Sequence, residues 1–368
     1  MQFAMAFKII GVLLILFSTA MLPSLFLSLI DKDGIESAFA TGLAATLFAG
    51  VMLWLPTRQL SRDLNIRDGF MVTALFWVVL GLFGAIPLWL APDLALTPVG
   101  AIFESISGLT TTGATVITGL DKLPQSLLFY RQLLQWLGGI GIIVLAVAIL
   151  PMLGIGGMQL YRAESTGPSK DRKLTPRITS TAKALFGIYL LLTIACAASY
   201  FAAGMSMFHA ICHAFSTVAI GGFSTHDASL GHYEQNRVLL VSSVFMLLSA
   251  INFGLHFIAL QRRSVRVYAR DSETAFFVTV IASATIVVCC LLLTTETLNF
   301  EDSMIHGLFQ TISIATTTQN AYYFLISTSY ISNGFKSILK CIWRMCIINN
   351  RSNSRIRFIL LKSSFNGI

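Results

Sequence analysis

Charge is what this sequence has least of. Only 11% of its 368 residues are Asp, Glu, Lys or Arg, while 55% are hydrophobic and the mean hydropathy is +0.76. Soluble domains carry about 25% charged residues, so the chain reads as a polytopic membrane protein. Cysteine is scarce too. Cys196, Cys212, Cys289, Cys290, Cys341 and Cys346 show no metal-ligand spacing, which leaves buried free thiols rather than a disulfide framework. The first apolar run has no cleavage site directly at its end and six more apolar runs follow, so it is expected to be a retained helix rather than a signal peptide. No nucleophile is paired with a base. His209 and His213 stand at zinc-ligand spacing, but Ala210 occupies the place where a metalloprotease carries its glutamate. An enzyme, an intramembrane hydrolase included, is therefore not expected.

What is present is a set of long apolar runs. Seven are long enough to cross a bilayer as helices, near 7–30, 36–56, 70–91, 126–150, 182–203, 237–260 and 274–295. Basic residues concentrate in alternate loops. Residues 57–68 hold Arg58, Arg62 and Arg67; 158–178 hold Arg162, Lys170, Arg172, Lys173 and Arg177; 261–271 hold Arg262, Arg263, Arg266 and Arg270. On the other side Lys32 stands among Asp31, Asp33 and Glu36, and Glu296, Glu301 and Asp302 gather near 296–302. The positive-inside rule puts the N-terminus and the basic loops in the cytoplasm. Topology accounts for the basic loops, and no nucleic-acid partner is expected.

A short motif recurs between apolar runs. Phe103-Glu-Ser-Ile-Ser107-Gly-Leu-Thr110-Thr-Thr-Gly113 aligns with Cys212-His-Ala-Phe-Ser216-Thr-Val-Ala219-Ile-Gly-Gly222 and with Phe309-Gln-Thr-Ile-Ser313-Ile-Ala-Thr316-Thr-Thr-Gln319. Positions 113, 222 and 319 are 109 and 97 residues apart, as expected for a duplicated span–loop–span unit. The fold class expected is all-α: two lead helices, then helix–pore loop–helix repeats, two complete and a third partial, while the family resemblance given below implies a fourth, missing here. The expected divisions are 1–68 (lead hairpin), 69–157 (first repeat), 158–180 (basic loop), 181–261 (second repeat), 262–318 (partial third repeat) and 319–368 (tail).

A K⁺ pore replaces the ion's hydration shell with backbone carbonyls. Glycine adopts cheaply the backbone conformations this needs, which gives Gly113 and Gly222 their reason. A short helix ending at the filter turns its negative dipole end toward the cation. The expected filter is Thr110, Thr111, Thr112 and Gly113; Ala219, Ile220, Gly221 and Gly222; Thr316, Thr317 and Thr318. The ion is expected at Thr111, Thr112, Ile220, Gly221, Thr317 and Thr318. Ser107, Ser216 and Ser313 are expected to anchor each turn by hydrogen bonds.

Other polar residues carry two readings each. Arg131 either tethers the filter through a pore-loop carbonyl or snorkels to the interface. Glu104 either concentrates cations or is a solvated external carboxylate. His226 and Asp227 are expected to line the outer vestibule. Gly138-Gly139-Ile140-Gly141 permits close helix packing, and Asn252 and His256 are expected to make packing hydrogen bonds. Gly154, Gly156 and Gly157 either hinge a gate or end a helix.

The strings Thr110-Thr-Thr-Gly-Ala-Thr115, Gly138-Gly-Ile-Gly141, Leu150-Pro-Met-Leu-Gly-Ile-Gly-Gly-Met-Gln-Leu-Tyr-Arg-Ala-Glu164 and Ala219-Ile-Gly-Gly-Phe-Ser-Thr-His-Asp227 resemble the TrkH-type subunits of bacterial Trk K⁺ uptake systems, within the Trk/Ktr/HKT superfamily. The resemblance covers roughly residues 1–318. It implies four repeats around one pore, K⁺ as transported ion, no organic cofactor, a homodimer in the bacterial inner membrane, and a peripheral cytosolic nucleotide-binding regulatory subunit.

The last segment departs from that pattern. Gln319 stands where the family has glycine. Residues 319–368 hold seven basic residues (Lys336, Lys340, Arg344, Arg351, Arg355, Arg357, Lys362) and no acidic one. The reading favoured is a frame error or truncation, giving a chain that does not conduct K⁺ normally. The alternative is a non-conducting fragment that binds an intact transporter.

Overall fold

The computed structural model describes residues 3–60, 66–153, 178–233, 235–294 and 299–318, which form helices and loops with no β-strand among them. The chain opens with α1 (Phe3–Thr19), α2 (Leu22–Asp31) and α3 (Glu36–Trp54). The first apolar run is thus not one straight helix. It breaks at Ala20–Met21, where Pro23 opens the first turn of α2. Proline is accommodated there because the missing N–H would have no helical partner anyway. Lys32 closes α2 in the left-handed region (φ 52°) with its N–H on Ser28 O. Asp33 then accepts from Ile35 N (3.1 Å) and from the hydroxyls of Ser28 and Ser126. One carboxylate thereby joins the lead hairpin to the body of the molecule.

The order long helix, short helix, long helix follows. The long α4 (Ile66–Leu90) packs on the short α5 (Pro98–Leu109), and α6 (Gln125–Leu153) comes after. Then α7 (Ile178–Ala202) packs on the short α8 (Met207–Val218), followed by α9 (Asn236–Ala250) and α10 (Phe253–Arg262). The small α11 (Arg266–Arg270) leads to the long α12 (Ser272–Thr294), which packs on α13 (Phe300–Ala315).

Two apolar clusters build the interior. One joins the lead helices to α4, α5 and the start of α6; the other joins Ile140 to α7, α8, α9, α12 and α13. Helix α6 passes between them and touches both α5 and α8. Large apolar side chains such as Phe26, Phe48, Phe276 and Ile286 point outward, as lipid-facing residues do.

By length and composition five described segments can cross a bilayer: Phe3–Asp31, Glu36–Thr57, Met71–Leu90, Lys183–Ala202 and Ser272–Thr294. The expected span 237–260 is long and apolar enough to cross, but not as one straight helix. It is two helices, α9 and α10, bent by 93°. Ile251 is extended (ψ 144°), and Asn252 Oδ1 accepts from Gly254 N (2.9 Å), starting a new helix. His256 secures the corner, donating from Nε2 to Leu248 O (2.8 Å) while Nδ1 meets Tyr268 Oη (2.9 Å). Cys196, Cys212 and Cys289 are buried free thiols, whereas Cys290 is exposed, contrary to the expectation. The glycines at 154, 156 and 157, most of the basic loop 158–180, Gln319 and the tail, with Cys341 and Cys346, lie outside the described residues.

Candidate filter site

Each short helix begins with a side-chain cap. Thr97 Oγ1 accepts from Gly100 N (3.1 Å), Ser206 Oγ from His209 N (3.4 Å) and Asn299 Oδ1 from Asp302 N (2.8 Å). Such caps satisfy one of the free N–H groups at a helix start. From cap to aligned serine the distance is ten residues in the first two copies and fourteen in the third, so α13 is one turn longer.

The three helices end alike. Thr110 N bonds Ile106 O (2.8 Å), Ala219 N bonds Phe215 O (3.1 Å), and Thr316 N bonds Ile312 O (2.8 Å). The next N–H groups, of Thr111, Ile220 and Thr317, return to Gly108, Thr217 and Ile314 (3.0, 3.1 and 3.1 Å). Thr112 N and Gly221 N reach Ser107 O and Ser216 O, both at 2.9 Å. The donors of each segment are thus turned back into its own helix, and its carbonyls take no part in those bonds.

A conformation unforeseen in the sequence recurs with them. Thr111 (φ 53°), Ile220 (φ 55°) and Thr317 (φ 64°) are all left-handed, two positions before the left-handed Gly113 (φ 78°) and Gly222 (φ 85°) in the first two copies. For β-branched residues this region is costly, about 1–3 kcal/mol each. At all three matching positions the residue's own N–H is bonded back to the helix end behind it. In the first two copies two left-handed residues spaced by two turn the main chain in the same way.

Side chains brace the segments unequally. Thr110 Oγ1 donates to Ile106 O (2.7 Å) and meets Thr112 Oγ1 (2.7 Å); Thr316 Oγ1 does the same with Ile312 O and Thr318 Oγ1, both at 2.8 Å. The second segment carries no hydroxyl there. Ser107 Oγ donates to Ala114 O (2.6 Å), anchoring the first turn. Ser216 Oγ is buried and has no partner among the described residues, so the hydroxyl anchor expected there is corrected. Gln135 serves instead, its Oε1 accepting from Phe223 N (3.1 Å).

Arg131 and Glu104 form one buried unit, 1% and 0% exposed. Arg131 Nε donates to Glu104 Oε1 (2.9 Å), Nη2 to Thr115 Oγ1 (3.1 Å) and Nη1 to Ser224 O (3.2 Å), and the guanidinium lies 4.4 Å from the Phe223 ring centre. Glu104 also accepts from Val116 N (3.0 Å). Neither interface snorkelling nor a solvated carboxylate describes this pair. The arginine reaches a pore-loop carbonyl and connects the strand after the first filter to the strand after the second.

The filters touch. A Cβ at Gly113 would stand 2.1 Å from Gly221 O, and one at Gly138 on α6 would stand 1.9 Å from Leu109 O. The glycine string of α6 therefore seats the ends of the short helices, a closer approach than ordinary helix packing. A cavity of about 670 Å³ opens against Thr110, Thr111, Ala219 and Ile220, walled by Trp77, Tyr189 and Phe253.

Beyond the filters a second layer joins the loops. Gly119 N donates to Asp227 Oδ1 (3.0 Å), and His226 Nδ1 bonds Asp121 Oδ1. The hydrogen bond from His226 holds the Asp121 carboxyl below its ordinary value, against the opposing effect of partial burial. His209 Nδ1 and His213 Nε2 converge on Thr225 Oγ1 (2.9 and 3.2 Å), so the i, i+4 pair is engaged with a hydroxyl. Nothing in the sequence pointed to Asp121 or His232.

A family profile described as TrkH, cation transport protein, matches residues 35–341. Among similar curated proteins, potassium uptake protein TrkH of Halomonas elongata is 52% identical over 86% of this chain, and its namesake in Escherichia coli K12 is 50% identical over 86%. The chain spans 66% of the length of each. The crystal structure of the potassium transporter TrkH from Vibrio parahaemolyticus superposes with a TM-score of 0.76 at 48% identity, covering 86% of this chain and 65% of that one.

Proposed function

The chain belongs to the TrkH family of cation transport proteins, and from that premise we infer that it carries K⁺ across a membrane through a pore lined by the three filter segments. It is a multi-pass membrane protein whose named relatives are transporters and not enzymes. The observation that carries the reading is the shared left-handed turn at Thr111, Ile220 and Thr317 behind three matching helix ends. K⁺ sheds water against the carbonyls of Thr110–Gly113, Ala219–Gly222 and Thr316–Thr318, favoured by the C-terminal dipoles of α5, α8 and α13. Ions collect in the cavity beside Thr111 and Ile220.

The finer reading follows the charge pattern. The basic loops and the N-terminus lie in the cytoplasm, the membrane is the bacterial inner membrane, and the divisions at 69–157, 181–261 and 262–318 are successive pore repeats. A homodimer served by a cytosolic nucleotide-binding subunit completes the assembly.

The test uses a strain lacking K⁺ uptake. It receives residues 1–318 joined to the final third of the Vibrio relative. The joined protein should restore K⁺ uptake, and Gly113→Ala should remove it. A joined protein that reaches the membrane yet gives no uptake, or uptake indifferent to Gly113→Ala, would sink the proposal.

A further inference from the structure

Outside the filters lies a cluster that ion conduction does not use. Asp121, His226 and His232 each offer one ligand atom, and the three atoms lie within 4.8 Å of one another. The imidazoles of His226 and His232 stack at 3.6 Å with their planes 2° apart, and the His209 ring centre lies 4.7 Å from that of His226. The hydrogen bonding is not closed, because His226 Nε2 is buried without a partner among the described residues. Asp121 is 47% exposed and His232 is exposed, so the group is open to solution.

We propose that Asp121, His226 and His232 form a binding site for a divalent transition-metal ion of the zinc class. Two imidazoles and one carboxylate, with water in the fourth position, make a common zinc donor set. Zinc–ligand bonds of about 2.0–2.1 Å in a tetrahedron place ligand atoms roughly 3.3 Å apart. The cluster reaches that spacing by rotating the two exposed side chains. The ion takes the place of the proton shared between His226 and Asp121, and that proton leaves to solvent. Imidazole selects against Mg²⁺, Ca²⁺ and K⁺, so the transported ion does not compete for the site.

Its place in the fold gives it a consequence. Asp121 follows the first filter; His226 and His232 follow the second. A bound ion cross-links the two loops, beside the existing Gly119–Asp227 bond. The site stands on geometry independent of the K⁺ reading, and its test does not measure transport.

The experiment titrates Zn²⁺ alone into the full chain, purified in lipid nanodiscs with no polyhistidine tag, by calorimetry. Co²⁺ is the spectroscopic probe. One saturable site per chain is expected, with the intense visible bands of tetrahedral Co²⁺. His232→Asn and Asp121→Asn should each weaken binding by about tenfold or more and remove the bands, while Cys290→Ser leaves both unchanged. His232 is exposed, so its replacement leaves folding intact even if changes at His226 do not. No saturable Zn²⁺ binding, or binding unaltered in both variants, overturns the proposal.

Discussion

Thr110–Thr112 and Ala219–Gly221 have no side chain in common, yet their backbones agree bond for bond. Both return three successive N–H groups into the helix behind them, and both turn left-handed at the second residue. The first is laced by hydroxyls and held by a serine; the second has neither, and relies on Gln135 from α6. What the two regions preserve is the turn of the main chain. What they vary is the means of holding it. Different side chains can hold the same main-chain turn where another brace is within reach.

The brace they share is the sharpest place to break the comparison. Arg131 and Glu104 tie the strands after both filters together while fully buried. Arg131→Met leaves a carboxylate without its cation, which costs about 3–5 kcal/mol at a buried pair. Replacing both, Arg131→Met with Glu104→Leu, removes that penalty but leaves Thr115 and the Ser224 carbonyl unheld. The single variant should be markedly less stable in a thermal melt. The double should recover stability without recovering K⁺ uptake. Recovery of both would mean that the pair only fills space.

The two filters should also differ in their tolerance of one methyl group. At Gly113 a Cβ meets the backbone oxygen of Gly221 at 2.1 Å, and φ is 78°. At Gly221 it meets the side-chain end of Gln135 at 2.4 Å, which can rotate away. Gly113→Ala must therefore displace the neighbouring filter, with a left-handed strain of roughly 1 kcal/mol or more besides. K⁺ uptake should be lost in Gly113→Ala and only reduced in Gly221→Ala. Equal loss in both would show that Gln135 is as rigid as the main chain.

These contrasts mark how far the sequence could be read. The long helices are legible because hydropathy over about 20 residues decides them, and the shared turn behind the short helices because three copies align. The corner at Ile251–Asn252 was hidden, since apolar residues lie on both sides and the bend is set by one capping side chain. The Arg131–Glu104 pair joins residues 27 apart on different helices, a distance at which no spacing rule speaks. Left-handed Thr111, Ile220 and Thr317 ran against local preference, which glycine-based reasoning assigns elsewhere. The aligned serines were found, but alignment does not say which hydroxyl has a partner.

That last point is itself a prediction. Ser107→Ala removes a bond to Ala114 O and should cost about 1 kcal/mol. Ser216→Ala removes a buried hydroxyl with no partner among the described residues, and should be neutral or slightly stabilising. Thermal melts of the two variants side by side decide it. Equal destabilisation would mean that the serine serves packing alone in both copies.

The smallest effect is expected where the sequence looks most like a signature. The Thr110–Thr112 hydroxyl contact is exposed, at 2.7 Å, and the second filter keeps the same turn without any hydroxyl. An exposed hydrogen bond contributes about 0.5 kcal/mol, so Thr112→Val should change K⁺ uptake by roughly twofold or less. The threonine side chains then matter as volume and as local support, while the ion is met by the main chain. A loss as large as that of Gly113→Ala would reverse the ranking. Hydroxyl oxygens would then be ligands in their own right, and the second filter, lacking them, would hold the ion differently from the first.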